Sequence, residues 1–120
     1  MAFSARARSI LTANELIEID AKIQKFFWGN KAIRAIDDNG QRWIVFADIC
    51  KALGYKNPNH ESKKVESEDK CKLEIGLKNT LAVCINKRGL YVFSLFSNKS
   101  EVSDFRLWAD REIFDRQGGG

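Results

Sequence analysis

The chain has 120 residues, 44% of them hydrophobic and 30% charged, with three Trp, two Tyr, eight Phe and one Pro. That is enough for one compact domain burying roughly two-thirds of its unfolded surface, and too few for a second. The composition excludes a disordered tail or a fibrous repeat, and no apolar run nears the roughly 20 residues that cross a bilayer. Lys and Arg number 20 against 16 Asp and Glu, a net charge of +4 that leans toward a polyanionic partner, with no long basic tail.

In chain order, Thr12-Ala13-Asn14-Glu15 is a capping-box pattern, with Leu16, Ile19 and Ile23 at helical spacing behind it. The first 22 residues therefore read as an extension carrying a short amphipathic helix over about 13–22 that docks on the core. Strand-like runs follow at 25–28 and 31–36, then Asp37-Asp38-Asn39-Gly40, then a third run at 42–46. Asn and Gly tolerate the positive φ of a tight turn, so this block predicts an antiparallel hairpin. Residues 47–53 read as a short helix with Asp48 in its first turn and Gly54 as its left-handed C-cap. The polar stretch 56–70 reads as a loop with at most one helical turn.

Runs at 72–77 and 80–85 predict a second hairpin turning at Lys78-Asn79. Asn86 is placed to cap a helix through about Ser94, and Ser97 or Ser100 to cap a last one. In that last helix Val102, Phe105, Trp108 and Ile113 recur at helical spacing, which predicts Phe105 and Trp108 buried against the first hairpin or its neighbours. Strands and helices alternate without a regular βαβ rhythm, so the fold class is α+β, a single small domain of antiparallel hairpins packed against short helices. Gln117-Gly118-Gly119-Gly120 reads as a flexible tail.

The three cysteines, Cys50, Cys71 and Cys84, are odd in number and fit no zinc-ligand spacing, and His60 is the one histidine. Cys50 and Cys84, inside apolar runs, read as small core residues, and the set predicts a reducing cytoplasmic setting and no metal or cofactor. No Gly-x-Ser-x-Gly, phosphate loop, dinucleotide fingerprint or His-Glu-x-x-His occurs. Asp37-Asp38 before Asn-Gly is turn chemistry before it is a metal pair. The reading is a binding module and not an enzyme.

Six blocks occur in order: Ile23-Gln24-Lys25-Phe26, Ala32-Ile33-Arg34-Ala35-Ile36, Gly40-Gln41-Arg42-Trp43-Ile44-Val45, Asp48 through Tyr55, Ile85 through Tyr91, and Phe105-Arg106-Leu107-Trp108. Together they resemble the Bro-N domain, the N-terminal module of baculovirus BRO proteins and of many phage antirepressors, over roughly residues 23–114 (the domain taken as 23–116). The resemblance implies a DNA-binding regulatory module of viral or prophage origin. Two positions depart from the family pattern: Lys87 stands where an acid usually follows the asparagine, and Phe114-Asp115 where Leu-Pro is frequent.

Phosphate contact supplies most non-specific DNA affinity, so the candidates are cations on exposed segments, with one amide, Asn57, beside them. They are Lys31 and Arg34 on the first hairpin, Arg42, Lys56 and Asn57 after the Gly-Tyr corner, Lys63 and Lys64 in the loop, Lys87 and Arg88 at a helix start, and Arg106 and Arg111 on the last helix. Arg34 and Asn57 are singled out for base edges, and Arg34 is also a candidate partner for Asp48. The expected partner is double-stranded DNA. The alternative is a stand-alone protein-interaction inhibitor that captures a host or phage regulatory protein.

Overall fold

Two positive-φ turns organise the first half of the chain. In the computed structural model, which describes residues 23–76 and 80–115, Gly29 at φ +64° reverses strand β1 (Ile23–Trp28) into β2 (Lys31–Asp38). Asn39 and Gly40, at φ +53° and +77°, then reverse β2 into β3 (Gln41–Val45), the geometry of a primed two-residue hairpin. The helix expected over 13–22, the Lys78-Asn79 turn and the glycine tail lie outside the described residues.

Strands β4 (Lys70–Glu74) and β5 (Leu81–Ile85) form the second hairpin, and β5 joins β3 through Ile44↔Ile85 and Val45↔Cys84. The result is one five-stranded antiparallel sheet ordered β1-β2-β3-β5-β4. With the short helices packed on it, the domain is α+β.

Helix α1 (Phe46–Leu53) begins directly on β3 and ends at Gly54, φ +85°, whose N–H bonds to the Cys50 carbonyl. The polar stretch after it is more ordered than its composition predicts. Asn57 accepts a bond from the His60 N–H and Pro58 opens a one-turn helix α2 (Pro58–Glu61), with 3₁₀ turns at Ser62–Lys64 and Ser67–Asp69. An N-cap followed by proline at the first helical position is a start signal short enough to be read as a loop.

Helix α3 (Lys87–Phe96) is capped by Asn86, whose side chain accepts the Gly89 N–H at 2.7 Å. Helix α4 (Val102–Ala109) runs on into a π-helical turn, Asp110–Phe114. Neither Ser97 nor Ser100 caps it; the flanking residue is Glu101 with no side-chain bond, while the Ser97 hydroxyl pairs with the Tyr55 hydroxyl and the Lys99 N–H.

Helices α1, α3 and α4 bury their apolar sides on one sheet face. Ile33, Ala35, Ile44 and Ile85 from the sheet meet Phe46, Ile49, Leu53, Leu90, Phe93, Phe105 and Ile113 there. Phe105 is fully buried, whereas Trp108 is half-buried, packed at 5.5 Å between ring centres on Trp28 of the first hairpin.

Two outcomes follow from this packing. Phe105→Ala is expected to cost about 3–5 kcal/mol in urea unfolding and Trp108→Ala less, because part of its ring already contacts water. Burial pushes the thiols of Cys50, Cys71 and Cys84 up to about 12, 11 and 12. The folded chain thus holds protons that the unfolded chain releases near 9, so the thiols stabilise fully below that pH and their contribution falls as pH rises toward 11–12. Iodoacetamide at pH 8 is expected to leave the buried Cys50 and Cys84 unmodified until urea is added, and to reach the partly exposed Cys71 first.

Candidate nucleic-acid interface

A strand that ends leaves its neighbour's backbone unpaired, and Asp48 resolves this for β2. After Ala35↔Ile44 the β2–β3 pairing stops, because Val45 pairs on its other side with Cys84 and the chain turns into α1. Asp48, in the first turn of α1, accepts the Arg34 N–H at 2.9 Å, Arg34 Nε at 2.8 Å and Arg34 Nη2 at 2.9 Å. Its position suits the positive end of the helix dipole. The hydrogen bond to Asp48 holds the Arg34 guanidinium above its ordinary value.

Beside this clip lies a depression of about 360 Å³ between the first hairpin and α1, lined by Lys25, Asn30, Lys31, Ala32, Arg34, Asp48, Lys51 and Ala52. It brings two of the sequence candidates, Lys31 and Arg34, together with two cations that sequence reasoning missed, Lys25 and Lys51. Lys25 lies directly opposite Arg34 in the β1–β2 register. Like charges in that relation oppose folding. Asp48 is the one carboxylate in the lining, and Arg34 occupies it. Among the described residues Lys25, Lys31 and Lys51 have no carboxylate partner, so the described lining carries more positive than negative charge.

The remaining candidates divide by partner. Arg42, expected on an exposed segment, is instead buried, with 5% of its side chain accessible. Its Nε and Nη2 hold Asp37 at 2.8 and 3.0 Å, and its Nη1 donates to the Ile113 carbonyl at 3.0 Å. An arginine in a strand next to a turn carboxylate is thus a tie between the hairpin and the C-terminal π turn. Lys64 pairs with Glu61, Lys87 with Asp115, Arg106 with Asp110, and Arg111 with Glu112. Lys56 and Lys63 are exposed with no carboxylate partner among the described residues. Lys63 and Lys64 line a different depression, with Glu66, Val92 and Phe96.

Arg88 is drawn to a second hub. Asp69, 4% exposed, accepts Arg88 Nη1 at 2.6 Å and Asn86 Nδ2 at 3.3 Å, while its carbonyl accepts the Asn86 N–H at 3.1 Å. The nearby Asp69 charge raises the Arg88 guanidinium further above its usual value. A Cβ added to Gly89 would stand 3.0 Å from the Asp69 carbonyl oxygen and 3.2 Å from Val65 Cγ1. This close approach accounts for the Asn-x-x-Gly spacing. It also means that Arg88 finds its acid on Asp69, so the lysine at 87 deprives it of nothing.

Both residues proposed for base edges have prior engagements. Two of the five Arg34 side-chain N–H groups, on Nε and Nη2, are spent on Asp48, which leaves one N–H of Nη2 and both of Nη1. Asn57 Oδ1 accepts the His60 N–H at 3.2 Å, which leaves only its amide NH₂ outward.

Among known proteins, the model of the BRO family, N-terminal domain, matches residues 32–115. No curated protein and no solved structure gives a significant match. Among the described residues no helix is long and apolar enough to cross a membrane, and no cluster of three or more metal-ligating side chains occurs.

The two hubs predict where stability resides. Gly89→Ala is expected to destabilise by about 1–3 kcal/mol, since backbone and a β-branched side chain must shift to admit the methyl. Arg42→Gln is expected to cost at least about 2 kcal/mol through the stranded Ile113 carbonyl and the lost Asp37 bonds. Lys56→Gln is expected to stay within about 0.5 kcal/mol of the parent in the same urea titration.

Proposed function

The chain belongs to the BRO family through its N-terminal domain, and from that premise we propose that it is a DNA-binding regulatory module of the viral or prophage antirepressor type. The observation that carries the reading to particular residues is the cationic depression between the first hairpin and α1. Among the described residues, three lysines without carboxylate partners and one anchored arginine surround a single occupied acid there, and a like-charge pair is held in register. Charges kept together against their own repulsion suit a ligand that brings the compensating anion. A chain of phosphates does so, and it repays the release of its counterions on contact.

On this reading double-stranded DNA is held chiefly through its backbone. Lys25, Lys31 and Lys51 act as phosphate contacts, and Arg34 is a fixed positive point whose orientation Asp48 sets. Lys56 and Lys63 extend the contact from the neighbouring loop, while the paired Lys64, Lys87, Arg88 and Arg106 contribute less because each already has a carboxylate within reach. Such contacts position the protein and carry little sequence information.

A second reading, capture of a host or phage regulatory protein, is favoured by a different observation. Tyr91, Leu95 and Phe96 of α3 and Leu107 of α4 are all exposed, Leu95 and Phe96 at 63% each. Large apolar side chains gathered on two packed helices are a feature of protein-binding surfaces.

Titration of labelled duplex DNA at several salt concentrations separates the two. Binding through phosphates is expected to weaken with a slope of about −0.9 in log affinity against log salt per contact, and Lys25→Gln and Lys51→Gln are each expected to flatten the slope by about that amount. Arg42→Gln is expected to leave the slope alone. Absence of any salt-dependent duplex affinity, together with salt-insensitive capture of one protein that Leu95→Asp abolishes, decides for the second reading.

A further inference from the structure

A sheet has two faces, and the described helices account for one of them. The opposite face carries Ile36 of β2, Trp43 and Val45 of β3, Cys84 of β5 and Leu73 of β4, with Ile23, Cys71, Ile75 and Ala82 at its margin. These five central residues are only 0–9% exposed. Every buried side chain of α1, α3, α4 and the π turn belongs to the other cluster, and α2 buries none. An antiparallel sheet face left to water alternates polar residues outward; this one presents Ile, Trp, Val, Leu and Cys. Side chains of the sheet alone do not cover an indole to this degree.

We propose that the segment before β1, residues 1–22, docks on this second face as an amphipathic helix over about 13–22. It would make the domain a three-layer unit of helix, sheet and helices. Three observations select this occupant over a second copy or a foreign protein. The segment ends at Ile23, the first residue of β1, and the Ile23 side chain already packs at the margin of the cluster, so the chain enters the sheet at the face to be covered. The apolar positions Leu16 and Ile19 fall on one side of a helix behind the Thr12–Glu15 capping box. The dimensions agree too. Ten helical residues span about 15 Å, and strands lie about 4.8 Å apart, so a helix leaving the β1 edge reaches over β2 and β3 to β5. Those are the strands that carry Ile36, Trp43, Val45 and Cys84.

The layer lies outside the stretch matched by the family model, which starts at Ala32. It is therefore an element of this chain's own fold, independent of whether the cationic depression binds DNA.

The test uses the full chain. Hydrogen exchange is expected to show amides in residues 13–22 protected well above unstructured rates, and NMR to show contacts from Leu16 and Ile19 methyls to the Trp43 indole, in a protein that light scattering reports as a monomer. Leu16→Asp/Ile19→Asp is expected to abolish the protection and shift the Trp43 indole resonance, while the Trp28 and Trp108 resonances, from the other cluster, stay in place. Should that variant fail to fold, the exchange and contact measurements on the parent chain still decide. Exchange of residues 13–22 at unstructured rates overturns the proposal, as does a dimer of twice the monomer mass with the Trp43 contacts running between copies.

Discussion

Asp48 accepting three hydrogen bonds from Arg34 is the interaction on which the geometry of this domain turns. It sits where β3 leaves the sheet and becomes α1, the point at which an antiparallel ladder gives out and a buried N–H needs a new acceptor. One carboxylate there joins the sheet to the first helix. The same bond fixes the floor of the cationic depression, because Arg34 is held outward along α1, opposite Lys25. Structure and candidate function thus share one ion pair, and loss of Asp48 would release both the helix register and an uncompensated cluster of cations.

Asp69 plays a corresponding part in the second half of the chain. Its side chain and carbonyl receive Asn86 and Arg88, and its backbone lies so near α3 that a side chain at position 89 would crowd it. The blocks by which the chain resembles its family therefore have separate physical causes. Asp48 through Tyr55 is a strand-end acceptor, a buried helix and a left-handed cap, with Tyr55 packed on Phe93. Asn86 through Tyr91 is a capped helix in close contact with a 3₁₀ turn. Phe105 and Trp108 clamp Trp28 of the first hairpin.

Positive charge by itself says little here, since the described arginines mostly serve internal ties. Arg42 joins the hairpin to the C-terminal π turn and Arg88 crosses to Asp69, while Arg106 lies between Asp110 and the Tyr91 ring. What distinguishes the depression beside α1 is that, among the described residues, its three lysines have no carboxylate partner and its one acid, Asp48, is taken by Arg34.

Local chemistry was legible in the amino-acid sequence: the Asn39-Gly40 turn, the Gly54 cap and the Asn86 cap each rest on residues close together or on a single residue's stereochemistry, and the ordered blocks carried the family, while Asp48 was one of two alternatives for Arg34, 14 positions away. Lys25 was within reach as well, because a two-residue Gly29-Asn30 turn between Trp28 and Lys31 sets it opposite Arg34. Other features required the folded chain. That Arg42 is buried depends on the Ile113 carbonyl 71 positions away, that Lys51 joins the hairpin lysines depends on how α1 lies on β2, and that a side chain at position 89 is crowded depends on the approach of Asp69. Charge and helix periodicity describe a residue's own preferences, whereas pairing and burial are decided by whatever distant segment the closing of the sheet brings against it.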